Sequence, residues 1–230
     1  MSTRLAAGGK KQLHEFRETR LSQQPAGIRL AAKIISYIFH PLFVPVYLSW
    51  FLVSIAPYLF AGFTAWEKSM VILRFFIIYS FFPLVSILLL RGLGFIQSVY
   101  LKTQRERIIP YAICMIYYFW MWYVLHNQPE IPQAAVLLSL SIFIASVAGW
   151  LANIYMKISM HAISMGVMAT FMLELAFSQN INFGLYISVS FLIAGLVCTA
   201  RFIISDHTQK EVYGGVLAGV VSQLIANWVS

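Results

Sequence analysis

Apolar residues in this chain run in long blocks, broken by short polar stretches. No charged residue occurs between Ile34 and Trp66, and comparable runs recur to the carboxyl end. A membrane-crossing helix needs about 20 mostly apolar residues. The pattern predicts seven such helices, at about 35–60, 69–90, 108–126, 133–156, 159–178, 183–204 and 211–229, with six as the alternative count. Pro41 and Pro45 predict a kink or a late helix start in the first. Arg74 lies near the start of the second, where its long side chain can reach the interface. The stretches "NQPEIP" and "SQNIN" carry turn-forming residues. No repeat or low-complexity tract is evident. The expected fold is all-α: a polytopic transmembrane helical bundle over residues 34–230, behind a basic tail over 1–33.

Composition narrows the function classes. Apolar residues make up 60% of the 230 and charged residues 10%, against about 25% charged in ordinary soluble domains. A disordered chain, a nucleic-acid-binding tail protein and a cytosolic globule are excluded on that balance. Membrane lipids, not nucleic acid, are the expected surroundings.

The net charge of +8 is uneven. Residues 1–33 carry seven Lys and Arg against Glu15 and Glu18, and hold no apolar run long enough for a signal sequence. Within this region and just beyond it, "AGIRLAAKIISYIF" reads as a helix lying along anionic headgroups. Loops and flanks after the even-numbered spans hold Arg91, Lys102, Arg105, Arg107, Lys157, Arg201 and Lys210. The opposite loops hold only Glu67, Lys68 and Glu130. That bias predicts a cytoplasmic amino terminus, and a bacterial inner membrane is the expected location. Cys114 and Cys198 sit in apolar runs and read as small buried hydrophobes.

The polar residues near membrane level form three clusters, each opening an odd-numbered span. "KTQRERIIPY" brings Lys102, Arg105 and Arg107; "KISMHAISMG" brings Lys157, Ser159 and His161; "ARFIISDHTQKE" brings Arg201, His207 and Glu211. All three should lie on one side of the membrane. Several cations, a hydroxyl, two imidazoles and two helix amino termini suit an anion. One histidine can attack phosphorus while the other protonates the departing oxygen. Glu211 is four residues after His207, the spacing that places both on one helix face. The cations argue against a divalent metal, and no cofactor is expected.

Each residue also has a structural role open to it. Thr208 to Glu211 reads as a capping box, and Ser159 as a helix cap. Arg201, Lys157 and Lys210 are also placed as interfacial anchors, Arg105 and Arg107 as loop charges, and His161 as an interfacial histidine. His40 and His126 have no basic company and read as structural. Glu174 lies deep in the fifth span and should face the bundle, paired with Arg74 or a hydroxyl, or protonated. The aromatic run at 117–123 reads as packing or lipid contact.

The spacing Arg201-x5-His207-x3-Glu211 resembles the third motif of the type-2 phosphatidic acid phosphatase superfamily, Ser-Arg-x5-His-x3-Asp. "ISMH" resembles its second motif, Pro-Ser-Gly-His, and "KTQRERIIP" its first, Lys-x6-Arg-Pro. The resemblance covers about residues 100–230, with the motifs in family order. It implies a metal-independent phosphatase working through a phosphohistidine. His207 would be the nucleophile, Glu211 its orienting partner and His161 the general acid. Lys102, Arg201 and Ser159 would hold the phosphate, with Arg107 or Arg105 replacing the arginine at Ile109's position. Ala200, Ile158, Met160 and Glu211 depart from the family's Ser, Pro, Gly and Asp. Membrane members usually face outward, whereas the charge bias places this site inward.

The expected activity is hydrolysis of a phosphate or diphosphate on a lipid or prenyl carrier. An impaired relative that binds anionic lipid or supports an assembly is the second expectation, and a small transporter the third. The sequence does not fix the oligomeric state.

Overall fold

The computed structural model describes residues 24–99, 101, 104–178, 182–204 and 207–230. Among them all the regular structure is helical, with no strand. Two short helices come first, α1 (Ala26–Ile38) and α2 (Val44–Ile55), followed by a 3₁₀ turn at Pro57–Phe60. Helices α3 (Ala65–Phe76) and α4 (Phe82–Gly92) form one rod through a π turn at Ile77–Phe81. Then come α5 (Gln104–His126), α6 (Gln133–Tyr155), α7 (Met160–Ser178), α8 (Gly184–Ile204) and α9 (Gln209–Val229). The α3–α4 rod and α5 to α9 make six helices long and apolar enough to cross a bilayer. The protein is a multi-pass membrane protein with an all-α bundle.

The first expected span, 35–60, is not one helix. Pro41 lacks an amide hydrogen and disfavours helical geometry at His40, so α1 stops and the chain turns through residues 40–43. Helix α2 restarts with Pro45 in its first turn, where the missing donor has no partner to lose. Its 12 residues extend about 18 Å, short of the roughly 30 Å hydrocarbon layer. Apolar composition reported burial there, not an unbroken backbone. The third expected span also begins earlier, at Gln104 rather than 108.

A proline explains the π turn as well. Pro83 cannot donate to the carbonyl four residues back, and its ring crowds that carbonyl. The chain widens one turn instead, and the Phe82 amide bonds to Ile77 O. The Ser80 hydroxyl in that turn donates to Leu42 O at 2.6 Å, tying the rod to the break between α1 and α2.

Helix α7 is central: 61% of its apolar window is buried, against 17% for α8 at the lipid-facing edge. Its closest partner is α9, parallel to it, and glycines set their separation. A Cβ on Gly219 would stand 2.1 Å from Ile163 O, and one on Gly166 would stand 2.2 Å from Val216 O. A Cβ on Gly215 would stand 2.8 Å from Ser159 O. Close backbone approach through small residues is how helices gain packing energy in lipid, where burial from water contributes little. Near the far end of the pair the Gln223 amide donates to Glu174 Oε2 at 2.7 Å. Arg74, expected as a partner of Glu174, instead donates to Gln128 Oε1 at 2.8 Å. The neutral, fully buried Gln223 meets the carboxylate's need without a second buried charge.

Candidate functional site

The amino termini of α5, α7 and α9 lie at one end of the bundle. Three sets of hydrogen bonds tie this end together. Gln104 Nε2 donates to Asn153 O and Asn153 Nδ2 donates to Gln104 O, both at 3.0 Å, locking the start of α5 to the end of α6. The Ser159 amide donates to Glu211 O at 3.2 Å, joining the starts of α7 and α9. Arg107 bridges two segments: Nε donates to Leu101 O at 2.9 Å and Nη1 donates to Ile158 O at 3.2 Å. Leu101 has φ +46°, a left-handed backbone that a leucine adopts only when its surroundings impose it. The Arg107 contact is one such restraint.

His207 sits where these elements meet. Its side chain is 4% exposed, and its Nδ1 lies 3.4 Å from Glu211 Oε2. The same carboxylate oxygen accepts the Thr208 amide at 2.7 Å, while Thr208 Oγ1 accepts the Glu211 amide at 3.4 Å. Glu211 therefore closes the capping box of α9 and faces the histidine. Burial, then the charges of Arg201 and Arg107, pushes His207 down to about 4, against the opposing pull of Glu211. Lys157 adds to the positive field. The imidazole is neutral at physiological pH, with its lone pair available.

His161, in the first turn of α7, approaches Ser36 O of α1 with Nε2 at 3.1 Å. A carbonyl only accepts, so Nε2 carries the hydrogen and Nδ1 the lone pair of the neutral ring. The ring of His40 stands edge-on to His161, centroids 5.1 Å apart. His40 Nδ1 accepts the Leu42 amide at 3.3 Å. Burial, then the charge of Arg201, pushes His40 down to about 4. Arg201, near the end of α8, thus acts electrostatically on all three imidazoles.

The expected site residues divide accordingly. Arg107, Lys157, Arg201, His207 and Glu211 come together, and Arg201 links them to His161. Arg105 is exposed, since two residues along a helix turn it about 200° from Arg107. Ser159 is fully buried, and its Oγ accepts the Ala162 amide at 3.4 Å as the cap of α7. Lys102 lies outside the described residues. Among the described residues no three His, Cys, Asp or Glu side chains group as metal ligands. His40 joins the site although its sequence neighbourhood is apolar. The one signal for it was Pro41, which marks the break that swings His40 inward.

A small apolar cavity of about 60 Å³ lies beneath this end, between α2, α5, α6 and α7. Val44, Leu48, Tyr118, Ile142 and Val167 line it, and Met160 and Ile163 border it beside His161. Comparison with protein-family models, with curated proteins and with solved structures finds no match for this chain.

Proposed function

We propose that this protein is a membrane-embedded phosphatase acting on a lipid or prenyl phosphate or diphosphate, with His207 as nucleophile. The observation that carries this reading is the neutral, buried His207 with Glu211 on one side and the charges of Arg201, Arg107 and Lys157 around it. Glu211 faces Nδ1, which leaves Nε2 as the attacking atom. The Nε2 lone pair forms the bond to the terminal phosphorus, and the P–O bond from that phosphorus to the carrier alcohol, or to the carrier monophosphate where the substrate is a diphosphate, breaks. The anionic substrate draws a proton from solvent onto Nδ1 of His161, whose Nε2–H stays on Ser36 O, and that proton passes to the departing oxygen. Water then attacks the phosphohistidine and releases inorganic phosphate. The arginines stabilise the charge that builds on the phosphoryl oxygens. The apolar lining beside Met160 supports a substrate tethered to a hydrocarbon chain over a soluble sugar phosphate.

The test is phosphate release by the purified chain from phosphatidic acid, phosphatidylglycerophosphate and undecaprenyl diphosphate, with chelator present. Turnover of one of them, abolished in His207→Ala, supports the reading. No turnover of any, or full activity in His207→Ala, overturns it.

One observation favours a second reading, a catalytically impaired relative that binds anionic lipid. Glu211 Oε2 and Ser159 Oγ are both engaged in capping their helices. On that reading lipid phosphate binds equally well to His207→Ala and no phosphoryl group is trapped.

A further inference from the structure

Helix α1 is amphipathic and lies against α8, docking through the stripe of Ala32 and Ser36. Its Ile28, Leu30, Ile34 and Ile38 remain exposed beside those contacts. Between α1 and the last turn of α8 runs a groove lined by Ala26, Arg29, Leu30, Lys33, Ile203 and Ile204. Arg29 and Lys33 are four residues apart, on one face of α1. The groove lies at the end of α8, a helix long and apolar enough to cross a bilayer, and the end of such a helix is where headgroups would meet acyl chains. Its two cations sit at this rim, and its aliphatic wall is built from Leu30, Ile203 and Ile204. That arrangement complements one kind of molecule, an anionic diacyl phospholipid of the surrounding leaflet.

We propose that this groove is an anionic-phospholipid site whose occupancy fixes the ring of His161. The phosphate sits between Arg29 and Lys33, and an acyl chain lies along the aliphatic wall. Lys33 is one turn before Ser36, whose carbonyl takes the Nε2 hydrogen of His161 at 3.1 Å. A lipid that clamps α1 onto α8 therefore holds the acceptor that orients this imidazole. The site is distinct from the phosphatase reading, because its ligand is a bilayer component bound without chemistry.

The experiment uses the full chain in phosphatidylcholine nanodiscs titrated with spin-labelled phosphatidylglycerol. The motionally restricted fraction of label is measured by electron paramagnetic resonance. The wild type should hold the anionic label in preference to spin-labelled phosphatidylcholine. Arg29→Gln/Lys33→Gln should bind it about 30-fold more weakly, from the usual contribution of two basic residues at an anionic surface. Arg91→Gln, an exposed cation outside the groove, should match the wild type. Glycerol phosphate, the headgroup without chains, should not displace the label. Equal binding by the double variant overturns the site, as does an equal loss in Arg91→Gln or displacement by glycerol phosphate. Because both substituted side chains are exposed, thermal unfolding in pure phosphatidylcholine should be unchanged. The coupling is read from the ¹⁵N ring resonances of His161. Phosphatidylglycerol should shift them in the wild type and not in the double variant; no shift in the wild type overturns the coupling.

Discussion

Substituting Gly219 by alanine adds one methyl group and tests the packing that brings α7 and α9 together. The new Cβ would lie 2.1 Å from Ile163 O, 2.8 Å from Val167 N and 3.0 Å from Gly166 Cα. An ordinary carbon–oxygen contact is near 3.4 Å, so the helices must part by about 1 Å. All three obstacles are backbone atoms, which have no rotamer to escape into. Overpacking of a tight core costs about 1–3 kcal/mol, and this geometry belongs at the upper end. For a chain of this size about 3 kcal/mol lowers the melting temperature by roughly 6–12 °C. The internal control is Gly214→Ala on the same helix, where an added Cβ meets nothing within 4 Å. There the alanine should be neutral or stabilising by about 0.5–1 kcal/mol, since glycine is a weak helix former. Both variants would be melted in the same nanodiscs, followed by circular dichroism. Separation of α9 from α7 also stretches the Ser159–Glu211 bond, so any phosphatase activity should fall with stability in Gly219→Ala. If Gly219→Ala melts with Gly214→Ala, the glycine contact does not hold these helices together.

Other expectations concern single contacts. Gln223→Leu leaves Glu174 without its donor and should cost about 1–2 kcal/mol, while Glu174→Gln keeps an amide–amide pair and should cost less than about 0.5 kcal/mol in thermal unfolding. The transporter reading is tested by the same Glu174→Gln protein: substrate counterflow that vanishes in it would replace the structural role argued for Glu174. Arg107→Ala should lower phosphate release by about 100-fold or more, the scale of losing a donor to the developing charge, and exposed Arg105→Ala by less than about 3-fold. His40 and His207, both pushed down to about 4, bind fewer protons when folded than when unfolded between that value and the ordinary 6.5. Stability should therefore be full above about pH 6.5 and decline as pH falls toward 4, and denaturant midpoints across that window would check it.

The six long helices were legible because each presents about 20 apolar residues, and the bilayer leaves few other structures for such a run. Helix α5 was read short because Arg105 and Arg107 look like loop charges, whereas Arg107 is bound inside by two carbonyls. The break at His40 needed more than hydropathy: Pro41 and Pro45 hinted at a kink, but a turn of 40–43 that aims His40 at His161 depends on contacts such as Ser80 to Leu42 O. The gathering of Arg107, Arg201, His207 and Glu211 followed from span parity, since helices that alternate direction return every second start to the same side. The partner of Glu174 did not follow from anything local. It depends on the register of α9 against α7, set by Gly166 and Gly219, and only that register places Gln223 beside the carboxylate. The double use of Glu211, as cap and as neighbour of His207, was visible in its spacing from Thr208 and His207.

The central claim is that His207 handles a phosphoryl group. Rapid quench of the chain with ³²P-labelled lipid phosphate, followed by peptide mapping, addresses it most directly. The account predicts an acid-labile, base-stable label on the peptide containing His207, absent in His207→Ala and present in Gly214→Ala. No label, or a label that persists in His207→Ala, contradicts it.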